Sequence, residues 1–167
     1  MTTKYAKLIK NDIVDGEGIC VSLWTQGCPH KCKGCHNPET WDWNGGIDVP
    51  NNIEEEIIEA IRANGVQRNF SVLGGEPLTE ANQSFVRKVL IAVRAAYPDI
   101  KIFLWTGYVY ERLTDAQKEI INLCDVLIDG PYIDRLRDIT LHLRGSSNQR
   151  VIDIKKTSQE GGVALYG

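Results

Sequence analysis

Four short apolar segments alternate along this chain with amphipathic segments of helical period, and that alternation constrains the fold more than any other feature. Residues 19–25 read as a strand, with Ile19, Val21 and Leu23 on one face. Residues 53–63 read as a helix in which Ile53, Ile57 and Ile61 recur at every fourth position. Asn52 stands where a cap belongs, Glu54 and Glu55 suit the positive end of the helix dipole, and Gly65 can end the helix. Residues 70–73 form a second strand. Residues 80–97 form a long helix, with Phe85, Val89, Leu90 and Val93 on one face and Pro98 just beyond its end. A third strand follows at 100–105. The next helix opens on Thr114 and Gln117, a capping-box pair, and 126–128 make a fourth strand.

Strands joined by helices pair in parallel, with the helices as crossovers. A closed barrel of eight such units takes about 250 residues, and the 167 residues present leave room for about half of one. The expected fold is α/β with a parallel sheet, either a partial, open (β/α) barrel or an open doubly wound sheet. No repeat, low-complexity tract or linker divides the chain, so a single domain over 1–167 is expected.

Each strand runs at once into an unusual loop. The first meets Cys28-Pro29-His30-Lys31-Cys32-Lys33-Gly34-Cys35, and the second meets Gly74-Gly75-Glu76-Pro77. The third meets Thr106-Gly107-Tyr108, and the fourth meets Asp129-Gly130-Pro131-Tyr132. In a parallel sheet these junctions share one rim, at the C-terminal ends of the strands, where active sites gather.

The spacing of the cysteines is C-x3-C-x2-C, and the total of five is odd, which disfavours a complete disulfide framework. The chain begins without the apolar core of a signal peptide and has no apolar run near the roughly 18 residues of a membrane span. A cytoplasmic location without membrane attachment is therefore expected, where thiols stay reduced. With a net charge of -3, nothing global argues for a nucleic-acid partner, and none is expected.

Four readings of the cysteine loop compete. Zinc would need a fourth ligand, for which His30 and His36 are at hand, although no second paired motif follows. Cys32 and Cys35 could be a redox pair, but Cys28 would then have no role. Simple burial suits Cys20 and Cys124, which lie in apolar segments, and does not suit a loop of Pro, His, Lys and Gly. The fourth reading is an iron–sulfur cluster. Cys20 and Cys124 precede their strands' rim ends by five or six residues, which at about 3.3 Å per residue is roughly 15–20 Å. Three irons would then be held by Cys28, Cys32 and Cys35, and the fourth would be open.

Cys28 to Asn37, Gly74 to Leu78, Leu104 to Tyr108, Asp129 to Tyr132 and Arg144-Gly145-Ser146-Ser147-Asn148-Gln149-Arg150 together resemble the radical S-adenosylmethionine (SAM) superfamily. Within it they resemble the family of activating proteins of anaerobic ribonucleoside-triphosphate reductases. The matching stretches keep the family's order and span most of the chain. The wider superfamily often has an aromatic residue before the third cysteine, where this chain has Gly34, with His36 just after that cysteine.

The resemblance implies a [4Fe-4S] cluster on Cys28, Cys32 and Cys35, with SAM chelated to the open iron. It implies reductive cleavage to methionine and a 5′-deoxyadenosyl radical, which takes hydrogen from a glycine of the reductase. The implied partners are that reductase and an electron donor such as flavodoxin, and a homodimer is possible. Gly34, Cys35 and His36 would lie against SAM, with His36 as the candidate beside the adenine. Gly74 and Gly75 would let the backbone approach the ligand closely. Glu76 would contact the methionine ammonium or brace its loop. Asp129 would bond ribose hydroxyls or cap a turn, and Gly130 would shape the turn. Arg135, Arg137, Arg144 and Arg150 make this end basic, either as a solvated face or as a docking surface for the reductase. The alternatives are an activase of another glycyl-radical enzyme, or a structural metal-binding module.

Overall fold

A computed structural model describes residues 3–167 of the chain. Its strands are β1 (Lys4–Asp12), β2 (Cys20–Thr25), β3 (Ile47–Asp48), β4 (Asn69–Gly74), β5 (Ile102–Trp105), β6 (Val126–Asp129) and β7 (Arg150–Asp153). Its helices are α1 (Ile53–Ile61), α2 (Glu80–Ala96), α3 (Asp115–Ile121) and α4 (Ile154–Glu160). All seven strands join one open sheet in the order β3-β1-β2-β4-β5-β6-β7.

The centre of that sheet is the expected parallel unit. β2 pairs with β4, β4 with β5 and β5 with β6, all parallel and in chain order. The edges correct the expectation of an all-parallel sheet. β1 lies antiparallel to β2, β3 antiparallel to β1, and β7 antiparallel to β6. The sequence of β1 hides its period because the pairing with β2 shifts register between Tyr5 and Lys7 and again between Ile9 and Asp12. Each such irregularity breaks the two-residue alternation by which a strand is read.

The helices form for the reasons their sequences give. α2 buries Phe85, Val86, Val89, Leu90 and Val93 along one stripe. α3 opens on the full capping box, with Thr114 accepting from the Gln117 backbone and Gln117 returning the bond to the Thr114 N–H. At α1, Asn52 holds the cap position without a side-chain capping bond, so entry relies on Ile53, Ile57, Ala60 and Ile61 packing inward.

The main core lies between the parallel strands and helices α1, α2 and α3, around Val21, Leu23, Phe70, Val72, Ile102 and Leu104. Each such side chain contributes about 1.5–3 kcal/mol by leaving water. On the other sheet face a smaller cluster joins Phe103, Val126 and Ile128 to Trp105, Leu143, Val151 and Tyr166. Cys124 belongs to the main core, and Cys20 is fully buried at the start of β2, opposite Asn69 at the start of β4. Burial pushes both thiols up. Among the described residues no helix is long and apolar enough to cross a membrane.

Candidate functional site

The C-terminal ends of β2, β4, β5 and β6 open into one cavity. Cys28, Cys32 and Cys35 all line it, together with His36, Gly74, Gly75, Thr106, Gly130, Tyr132 and Gln149. Distant stretches of chain thus meet on one rim.

The stem of the cysteine loop is pinned by backbone and amide bonds. The Gly27 N–H donates to the Thr40 carbonyl at 2.7 Å, and the Gly27 carbonyl accepts from the Glu76 N–H at 2.8 Å. The Gln26 amide donates to the Glu39 and Asp42 carbonyls. Asn82, on α2, donates to both the Gln26 and Glu76 carbonyls at 3.0 Å. Beyond the stem the loop turns through left-handed backbone at Lys31 and Gly34.

Burial pushes the Cys28 and Cys32 thiols up, and backbone N–H groups oppose it. Those of His30 and Lys31 point at Cys28, and that of Tyr132 points at Cys32. The Asn37 N–H lies 3.4 Å from Cys35 Sγ. Among the described residues no three His, Cys, Asp or Glu side chains converge as a single ion requires. Three thiols line one cavity, with Cys20 and Cys124 buried elsewhere, and that donor chemistry fits an iron–sulfur cluster.

The glycine pair is required by a neighbour other than the expected ligand. A Cβ on Gly74 would lie 2.6 Å from the Thr25 backbone nitrogen, and one on Gly75 would lie 2.4 Å from the Gly27 carbonyl oxygen. The second rim loop therefore packs directly on the stem of the first, while both glycines still line the cavity.

Glu76 is fully buried and braces its loop. One oxygen accepts from His30 Nε2 at 2.8 Å and from the Gly107 N–H at 2.7 Å. The other accepts from Thr106 Oγ1 at 2.8 Å and from the Leu78 N–H at 2.9 Å. Of the two roles expected for this carboxylate, the geometry favours the brace, because four donors occupy it.

Asp129 is held by protein neighbours. Its carboxylate, almost fully buried, accepts both Arg150 Nε and Nη2, and the Tyr110 N–H besides. Arg150 also grips Glu111, whose carboxyl it holds down at about 2. Arg150 is therefore not part of a free basic face. Arg144 likewise donates to the Ser147 and Gln149 carbonyls of its own loop, whereas Arg135 and Arg137 are exposed.

Gly34 stands against Asp134, where a Cβ would lie 2.5 Å from the carboxylate. The His36 ring packs at 5.4 Å on Tyr132, and both line the cavity. Sequence reasoning did not single out Tyr132, Thr106 or Gln149 as wall residues, although each lies in a stretch that it flagged. Gln149 fastens the wall by accepting from the Gly145 and Ser146 N–H groups and donating to the Gly130 carbonyl.

Residues 14–152 match the family model of the 4Fe-4S single cluster domain. An anaerobic ribonucleoside-triphosphate reductase-activating protein of Vibrio cholerae serotype O1 is 38% identical over 139 residues, covering 83% of this chain and 90% of that protein. The protein of the same name from Escherichia coli K12 is 38% identical over 141 residues, covering 84% and 92%. That of Enterobacteria phage T4 is 35% identical over 147 residues, covering 88% and 92%. With three thiols on the rim cavity and similarity over most of both lengths, this chain belongs to the family of anaerobic ribonucleoside-triphosphate reductase-activating proteins.

Proposed function

We propose that this chain, as a single domain over 1–167, activates an anaerobic ribonucleoside-triphosphate reductase by radical SAM chemistry. The observation that carries the reading is the set of three thiols, without a fourth, on the same cavity as the Gly74-Gly75 turn. Cys28, Cys32 and Cys35 would hold a [4Fe-4S] cluster, leaving one iron for the amino and carboxylate groups of SAM. When bound, cluster and SAM would supply one electron and a 5′-deoxyadenosyl radical that takes a hydrogen atom from a glycine of the reductase.

The chain's own residues position and enclose. Gly74, Gly75 and Gly130 line the cavity and would face the methionine and ribose parts, and His36 with Tyr132 would offer an aromatic face for the adenine. The chain-order neighbours β2, β4, β5 and β6, with α1, α2 and α3 packed on one sheet face, support reading the sheet as an open, partial (β/α) barrel. Exposed Arg135 and Arg137 are the remaining candidates for docking the reductase. A one-electron donor such as flavodoxin, a cytoplasmic setting and a homodimer complete the proposal.

The test is anaerobic reconstitution with iron and sulfide, followed by reduction with SAM present. Formation of 5′-deoxyadenosine, abolished in Cys28→Ala, is the expected outcome, and a glycyl-radical signal should follow when the reductase is added. A colourless protein holding one zinc per chain would overturn the reading.

A further inference from the structure

The cysteine loop has no regular secondary structure between Cys28 and Cys35, yet its thiols must face one cavity together. Its stem is pinned at Gly27, and its far end leans on Tyr132 and Asp134. His30, in the middle, reaches across to the other rim loops. Its side chain is only 19% exposed, and its ring meets Tyr108 edge-on at 4.6 Å. The seat is shaped for it, because a Cβ on Gly107 would lie 2.5 Å from His30 Cδ2.

The partner of His30 is the Glu76 carboxylate, which also holds Thr106 and Gly107 after β5 and Leu78 before α2. His30 Nε2 lies 2.8 Å from a carboxylate oxygen of Glu76, whose two oxygens also accept from three other groups. One buried carboxylate thus joins the loops after β2, β4 and β5. We infer that His30 is a positioning residue that registers the cysteine loop against those two loops through Glu76. The thiols then stand in their working arrangement before any cluster or ligand arrives. Nε2 is committed to this bond, so His30 does not serve as a cluster ligand through that atom.

The inference rests on the proposed SAM chemistry only for its second readout, and the first uses the metal-free chain. Anaerobic alkylation of that chain, read cysteine by cysteine by mass spectrometry, provides internal controls in Cys20 and Cys124. Both are buried outside the loop and report global opening. In His30→Ala the loop thiols, Cys28 above all, should react roughly tenfold faster, as expected when a charge-assisted bond is lost. Cys20 and Cys124 should keep their rates. His30→Gln, which can still present an N–H to Glu76, should restore slow reaction. Equal acceleration of all five cysteines would mean a general stability role and would overturn the inference, as would no change.

In the second readout, His30→Ala is reconstituted with iron and sulfide and the reduced cluster is followed by electron paramagnetic resonance during SAM titration. The SAM-dependent spectral change should need roughly tenfold more SAM than wild type and recover in His30→Gln. An unshifted titration would overturn the positioning role while leaving the SAM reading intact. If wild type itself shows no SAM response, the SAM reading fails, and the alkylation result alone decides whether His30 sets the loop.

Discussion

Carboxylates in this protein divide by what surrounds them rather than by the motif in which they occur. Glu76 meets four donors in a fully buried position. Glu76→Gln replaces one acceptor oxygen with an amide nitrogen facing those donors. The metal-free protein should lose about 1–3 kcal/mol, measured by urea unfolding. Asp12, at the end of β1, and Asp15, in the loop to β2, are the contrasting pair. For Asp12 burial is outweighed by bonds from Asp15, Ser22 and the Val14 and Asp15 N–H groups, which hold the carboxyl low. Burial and the neighbouring Asp12 push Asp15 up to about 7. In the unfolded chain Asp15 loses its proton near pH 4. Between about pH 4 and 7 the folded state therefore binds more protons, and stability falls as pH rises through that window. Asp15→Asn should remove the loss, gaining on the order of 1 kcal/mol at pH 8 and little at pH 4. Equal effects at both pH values in urea unfolding would contradict this account.

At the scale of elements, the rim works because loops touch loops. The turn after β4 lies on the stem of the cysteine loop so closely that Gly75 has no room for a methyl group. In Gly75→Ala the contact is with the Gly27 backbone carbonyl, which cannot rotate aside. About 1–3 kcal/mol of overpacking is expected, together with a displaced cysteine loop. Reconstituted Gly75→Ala should retain less iron per chain than wild type, by metal analysis after desalting. Gly162→Ala, with open space around the position, should match wild type in the same assay.

Across the whole molecule, the main core packs between the parallel strands and three helices on one face, and the antiparallel edge strands extend the sheet. Leu104, fully buried at the centre of β5, is in the main core. Leu104→Ala should cost about 2–5 kcal/mol, seen as a lower denaturation midpoint with an unchanged slope. The central elements were legible because their local signals are clear: the α2 stripe from Phe85 to Val93, the short apolar run of β2, buried throughout, and the Thr114–Gln117 cap. The edges were not. β1 changes register twice, β3 has two residues, and β7 has four. A strand that short or that irregular is specified by its partner more than by its own pattern.

The sequence by itself determined that three thiols stand together, because three cysteines within one short loop remain neighbours in any fold. It also determined the rim, because parallel strands bring their C-terminal ends to one side. Tertiary structure alone decided which polar groups remain available there. Asp129 is claimed by Arg150, Glu76 by His30, Thr106 and Gly107, and Gly75 by the Gly27 carbonyl. These partners lie in other rim loops or, for Arg150, in the neighbouring strand β7, so the pairings depend on the relative placement of distant stretches, which no local spacing encodes.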